Sequence, residues 1–345
     1  MGAFIIGSGT CLPEKVVTNE EIAALLRLDP EQIFKSSGIR RRHWATSNVT
    51  TSSLAAEALR SALDDAALSA DEVDYLIFGT MTPDRFIPGS APSVQNALGL
   101  REIPALDIRA ACCSALYALQ LSRALIDSGA ARYVGICLAE VQSRYLDLSP
   151  RSGTLSMLFG DGASALIVSG RSPSLREHPN SQPIEILDVV LATNGQYVDD
   201  LGIRCPGVKF GNYQTHSFSN HPADCLPRMN GQSVILQASR RIVAACKTVL
   251  ERNNLAPTDI KWLVPHQANA NLLAQVARDL GLSQTDCQVI SVLEDSGNTS
   301  SASMGIALDS LRSSKRIRSG DYLLLPAFAA GFTWGAALCQ AQGPF

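Results

Sequence analysis

No stretch of this 345-residue chain approaches the roughly 20 consecutive apolar residues of a membrane helix, so none of it reads as one. Neither sign of charge dominates. The 29 Lys and Arg against 32 Asp and Glu leave a net charge of −3, with no basic field to recruit nucleic acid or an anionic membrane. Metal-ligand spacing is missing too: there is no Cys-x-x-Cys and no His-x-x-x-His, and no metal site is expected. The nine cysteines (11, 112, 113, 137, 205, 225, 246, 287, 339) are odd in number and scattered through apolar patterns. They read as reduced thiols of a cytoplasmic protein. The opening residues, Met1-Gly-Ala-Phe-Ile-Ile-Gly7, read as a strand entering a glycine turn rather than a leader.

Apolar material is ample, at 46% of residues against 18% charged, and the length suits two fused or duplicated domains. Segments alternate between short apolar strands and amphipathic helices. The spacing predicts strands at Phe4–Gly7, Val73–Phe78, Ala105–Ile108, Tyr133–Leu138, Leu155–Phe159 and Ala163–Ser169. Helices are predicted near Asn19–Leu26, Thr51–Ala67 and Ala91–Leu98, and after Cys112. Alternation of this kind argues for α/β architecture.

The chain also repeats itself. Leu68-Ser-Ala-Asp-Glu-Val-Asp-Tyr-Leu-Ile77 matches Leu255-Ala-Pro-Thr-Asp-Ile-Lys-Trp-Leu-Val264 at an offset of 187, and each is followed by a helix ending in Leu-Gly-Leu. Ser128-Gly-Ala-Ala-Arg-Tyr-Val134 parallels Ser319-Gly-Asp-Tyr-Leu323. A period this long excludes a solenoid and implies two copies of one α/β half, taken as residues 1–172 and 173–345, with a loop insertion near 195–228. The repeat maps Gly79 onto His266 and the Cys112 turn onto Asn298–Ser303.

Three chemically suggestive residues thus fall at matching ends of matching elements, where layered α/β folds build their sites. Cys112 stands where a strand passes through small residues into a helix. Helix-terminal N–H groups there should favour the thiolate and lower the thiol's pKa. A lone cysteine in such a place is commonly a small core residue, a lone histidine after a buried strand is commonly a satisfied core group, and an Asn in a Gly/Ser/Thr loop is commonly a cap. Together, Cys112, His266 and Asn298 supply a nucleophile and two hydrogen-bond donors that could converge on a carbonyl oxygen.

The segments Gly7–Glu21, Ser37-Gly-Ile-Arg40, Leu106–Leu119, Leu158-Phe-Gly-Asp-Gly-Ala163, Val264-Pro-His-Gln-Ala-Asn269, Gly297-Asn-Thr-Ser300 and Gly331-Phe-Thr-Trp-Gly335 together carry a resemblance. Over essentially its whole length the chain resembles the β-ketoacyl-acyl-carrier-protein synthase III family of the thiolase superfamily. The resemblance implies duplicated halves in a five-layer α-β-α-β-α arrangement and a ping-pong decarboxylative Claisen condensation. By position, Cys112 would carry the acyl group, while His266 and Asn298 would bind the malonyl thioester oxygen. The backbone N–H groups of Cys112 and Ala330 would form an oxyanion hole. Arg40 and Arg151 would contact the carrier of the thioester. No permanently bound cofactor is implied. The substrates would be acyl-CoA or acyl-ACP and malonyl-ACP, the partners an acyl carrier protein and a second copy of the chain.

Three positions depart from the family pattern. A glycine triplet is Ala329-Ala330-Gly331, a tryptophan that stacks on the CoA adenine is Gln32, and two arginines near the CoA phosphates or the carrier are Ser36 and Asn271. The loop Thr82–Ser90 aligns with one that reaches across the dimer to close the acyl pocket, often through a phenylalanine where this chain has Ile87. Arg85, Phe86 and Ile87 are therefore assigned to the acyl pocket. The smaller Ile87 favours a starter longer than acetyl, and Arg85 offers an alternative clamp for a dicarboxylic donor. A related O- or N-acyltransferase of secondary metabolism, and a silent partner of another condensing enzyme, are the alternative readings. A degradative thiolase would need a second reactive cysteine, and Cys339 reads instead as a strand core residue.

Overall fold

The computed structural model describes residues 2–150, 155–171, 182–205 and 224–343. Its strands are β1 Phe4–Cys11, β2 Val16–Thr18, β3 Arg41–His43, β4 Tyr75–Gly79, β5 Ala105–Ile108, β6 Tyr133–Glu140 and β7 Gly162–Ser169, then β8 Ile184–Thr193, β9 Leu201–Gly202, β10 Arg228–Met229, β11 Ile260–Leu263, β12 Gln288–Val289, β13 Tyr322–Ala329 and β14 Thr333–Ala341. The helices are α1 Asn19–Leu26, α2 Pro30–Ser37, α3 Thr51–Asp65, α4 Ala91–Leu98, α5 Ser114–Asp127, α6 Gly231–Arg252, α7 Ala270–Asp279, α8 Leu293–Ser296 and α9 Ser303–Ser313. Local chemistry sets several boundaries. Thr18 and Glu21 exchange side-chain and backbone hydrogen bonds in a capping box that starts α1. Asp29 and Pro30 start α2, and Gly38 ends it in the left-handed conformation at φ 79°.

Ten strands form one sheet in the order β12-β11-β13-β14-β8-β1-β7-β6-β4-β5. Read from its middle, the order runs β1-β7-β6-β4-β5 one way and β8-β14-β13-β11-β12 the other. In each arm the last three strands are parallel, and β7 and β14 run antiparallel to their neighbours. The arms meet through the short β1–β8 pairing, Phe4 with Glu185 and Ile5 with Ile184. Between them lie α5 and α9, whose Leu116, Leu119, Ile306 and Leu308 share one core with Ile136 of β6 and Leu325 of β13. The α3 helix covers the outer face of one arm, and α6 and α7 cover that of the other. This is the thiolase-like layering of helix, sheet, helix, sheet, helix.

One expectation needs correction. Leu155–Phe159 is not a strand: its residues form a turn, and Phe159 makes one bridge to Asn298. The run is apolar because Leu155, Leu158 and Phe159 line a cavity while Met157 packs with Ile22, Leu26 and Trp44. In the 195–228 region, β9 and β10 form a two-stranded ribbon. Residues 206–223 fall outside the described set, as do 172–181 at the expected junction between halves.

Candidate active site

Each half of the chain contributes one tight turn to the centre of the molecule. After β5, Ala111 adopts φ 49°, a 3₁₀ turn spans Ala111–Cys113, and α5 begins at Ser114. After α8, Ser300 adopts φ 50°, a 3₁₀ turn spans Ser300–Ala302, and α9 begins at Ser303. A positive φ at a non-glycine residue is strained, and here it occurs at equivalent places in both copies. The small residues around each turn let the two pack against each other, and Cys112 Sγ comes 3.5 Å from Ser300 Oγ.

The adjacent thiols have different surroundings. Cys113 is fully buried with its sulfur 3.5 Å from the Thr333 carbonyl, whereas half-buried Cys112 lines a cavity of about 490 Å³. Against the expectation from the helix terminus, the Cys112 thiol is not acidic. Burial pushes it up to about 11, with the Glu140 carboxylate adding to the rise and the Ser300 hydroxyl opposing it. Removal from water outweighs the helix-end stabilisation of a thiolate.

His266 and Asn298 line the same cavity. His266 follows β11, its N–H donating to Pro326 O at 2.9 Å, and its ring Nδ1 lies 2.6 Å from Ser303 Oγ. Burial pushes the imidazole down to about 4, so it is neutral at physiological pH. Asn298 is clamped through its backbone: it donates to Leu158 O at 2.8 Å and accepts from Gly160 N–H at 3.1 Å. Its Oδ1 accepts from Ser300 N–H at 2.9 Å, which leaves the NH₂ end to donate to a ligand. The site therefore presents a nucleophile, a neutral imidazole and an oriented amide around one apolar cavity walled by Leu158, Val234, Ile242 and Phe328.

Of the departures, Ala329 and Ala330 avoid positive φ, and only Gly331, at φ 135°, needs a glycine. Asn271 ties α7 to the end of α2 through hydrogen bonds from Nδ2 to Ser36 O (3.1 Å) and Lys35 O (3.3 Å), and it lines the cavity with Ser36. Arg40 does not reach this cavity. It pairs with Glu294 at 2.7 Å, stacks on Phe34 and borders a separate depression with Glu31 and Asp295. Arg151 lies outside the described residues. Arg85, Phe86 and Ile87 do not line the cavity within one chain; all three are exposed, Phe86 and Ile87 at 72% and 79%. Ser300 and Ser303 escaped sequence reasoning, although the repeat carries their signal, since Ser303 stands where Ser114 does in the first turn.

Comparison with known proteins places this geometry. Residues 106–195 match the family model for 3-oxoacyl-[acyl-carrier-protein] synthase III, 250–341 match the model for its C-terminal part, and 37–148 match the thiolase N-terminal domain. The β-ketoacyl-[acyl-carrier-protein] synthase III of Rhodospirillum centenum is 36% identical over 98% of both chains, and that of Thiobacillus denitrificans is 36% identical over 97% of this chain and 98% of its own. Among solved structures, the 3-oxoacyl-[acyl-carrier-protein] synthase III of Aquifex aeolicus superposes with a TM-score of 0.85 at 32% identity, covering 98% of this chain and all of its own. The priming β-ketosynthase of the R1128 polyketide pathway superposes with a TM-score of 0.86 at 28% identity, covering 99% and 97%.

Proposed function

Because this chain belongs to the 3-oxoacyl-[acyl-carrier-protein] synthase III family, we propose that it joins an acyl thioester to malonyl-ACP through an acyl-Cys112 intermediate. The convergence of Cys112, His266 and Asn298, drawn from both halves onto one cavity, is the observation that carries this reading. In the first half-reaction the Cys112 sulfur attacks the donor's thioester carbon, and its proton leaves with the departing thiol. The N–H groups of Cys112 and Ala330 hold the oxyanion. In the second, the malonyl thioester oxygen accepts hydrogen bonds from His266 and from the Asn298 NH₂. CO₂ departs, and the enolate they stabilise attacks the acyl-cysteine carbonyl. The released Cys112 sulfur takes up one proton. A neutral imidazole suits this role with its ring proton on Nε2, the tautomer in which the single Ser303 hydroxyl proton goes to Nδ1 at 2.6 Å rather than to Ser300 O at 3.0 Å.

The donor in this scheme is an acyl-CoA or acyl-ACP, and the enzyme works in the cytoplasm without a bound cofactor. Arg40 belongs to the carrier-binding face, outside the reacting centre, and Arg151 is assigned to carrier binding by its position in the sequence. The two halves, 1–172 and 173–345, each supply one turn of the site. The working unit is a homodimer, supported by the exposed Phe86 and Ile87 on one loop and by β5, with 39% exposed Leu106, at the sheet edge. Light scattering should give twice the chain mass. Incubating the protein with an acyl thioester and malonyl-ACP should release one CO₂ per β-ketoacyl product. Acyl transfer to an alcohol or amine without CO₂ would establish the O- or N-acyltransferase reading instead.

A further inference from the structure

Glu140 is the last residue of β6 and is fully buried, yet no step above uses it. Its carboxylate accepts from Met81 N–H at 3.0 Å, Thr82 Oγ1 at 2.8 Å and Thr80 Oγ1 at 3.3 Å. The Ser301 hydroxyl donates to Gly79 O at 3.2 Å, next to those donors, and so joins the second turn to the segment that Glu140 holds. No cation is among these partners. These donors favour its charged form, but burial outweighs them and holds the Glu140 carboxyl above the usual carboxylate range.

The duplication explains the placement. Strands β6 (Tyr133–Glu140) and β13 (Tyr322–Ala329) are eight residues each, start on tyrosine and occupy equivalent places in the two arms of the sheet. The turns Ala111–Cys113 and Ser300–Ala302 are likewise equivalent, so Cys112 corresponds to Ser301 and Glu140 to Ala329. Each turn packs beside the strand end of the opposite half. In one copy, the N–H of Cys112 and the Ala329–Ala330 strand end are left for a substrate oxyanion. In the other, Glu140 ends the strand that packs on the Ser300–Ala302 turn and fills the corresponding place with a protein carboxyl group.

We propose that Glu140 is a positioning residue for condensation: by closing the second turn it fixes the 298–303 segment, which orients Asn298 and, through Ser303, His266. The same carboxylate holds residues 80–82, from which the loop bearing Arg85, Phe86 and Ile87 departs. This inference rests on the proposed roles of Asn298 and His266. Glutamine at 140 keeps the shape but turns one acceptor into an NH₂ that faces backbone N–H groups, which cannot reverse their polarity.

The test is Glu140→Gln, normalised to alkylatable Cys112 and measured separately in acylation by an acyl thioester and in CO₂ release from malonyl-ACP. A displacement of the donors by a fraction of an ångström should cut kcat for CO₂ release at least about tenfold, with KM for malonyl-ACP and the acylation rate within about threefold. A purely structural role would lower both half-reactions in parallel, and that result, or no effect on either, would overturn the proposal. Should E140Q fail to fold, Ser301→Ala, which removes the bond from the second turn to Gly79 O beside the segment Glu140 holds, reads the same split, with about a threefold loss confined to CO₂ release expected and an unchanged rate contradicting it. If the wild-type protein is not acylated on Cys112, the functional reading itself fails. If it is acylated and E140Q behaves as wild type, only the role of Glu140 falls.

Discussion

Gly160 tests the geometry at a point that meets Asn298 through its backbone and leaves every proposed catalytic side chain unchanged. It donates its N–H to Asn298 O, and a Cβ built on it would stand 2.2 Å from Ser296 O and 3.1 Å from Arg42 Cβ. A carbon-to-oxygen contact is relaxed at about 3.3 Å, so Gly160→Ala must open this gap by about 1 Å. Neither side yields freely. Arg42 is fully buried and donates to Met157 O at 2.7 Å and Asn19 Oδ1 at 2.9 Å, while Ser296 leads through Gly297, at φ 65°, into Asn298. Overpacking of this kind costs about 1–3 kcal/mol of stability. The functional cost is comparable in free energy, because a 1 Å displacement of a positioned donor is worth about 10²-fold in rate. Condensation in G160A should therefore fall about 10²-fold while acylation of Cys112 stays near wild type. Rates of both half-reactions within threefold of wild type would refute the claim that the Asn298 clamp sets the enolate donors.

Three further outcomes are expected. His266 is held near pKa 4 by burial against an ordinary 6.5, so the unfolded chain binds the extra proton between those values and stability falls as pH drops through that window. Relative to His266→Gln, the wild-type protein should lose on the order of 3 kcal/mol of unfolding free energy between pH 7 and pH 4, and parallel pH profiles would contradict this. With the Cys112 thiol near 11, its alkylation by iodoacetamide should rise about tenfold per pH unit from 7 to 9, and a plateau below pH 9 would show the thiol to be acidic after all. Octanoyl thioesters should exceed acetyl in kcat/KM, each added buried CH₂ being worth about 0.8 kcal/mol, and Ile87→Phe should narrow the difference. Acetyl preference would sink the larger pocket, and a glutaryl preference abolished by Arg85→Ala would replace it with a carboxylate clamp.

The three residues that meet at the cavity were legible because their signals are local. Cys112 precedes a helix, His266 ends a strand and Asn298 sits in a small-residue loop, and the repeat aligned all three. What pattern could not convey depends on the whole fold. The raised pKa of Cys112 comes from burial between two halves, so the helix-end argument pointed the wrong way. Leu155–Phe159 is apolar through contact with a cavity and with Trp44, a cause indistinguishable in sequence from a buried strand. Glu140 and Ser303 act across 58 and 37 residues of chain, on Thr82 and His266, and a buried carboxyl at a strand end gives no local sign of its partners.

The central claim is that an acyl group passes through Cys112 and that His266 and Asn298 act afterwards. Intact-mass measurement after incubation with an acyl thioester, peptide mapping of the adduct, and CO₂ release by His266→Ala and Asn298→Ala test it together. The account predicts the acyl group on Cys112, acylation preserved in both variants, and CO₂ release slowed about 10²–10³-fold, as for loss of an oxyanion donor. An adduct on Cys113, or equal loss of both half-reactions in the variants, would contradict it.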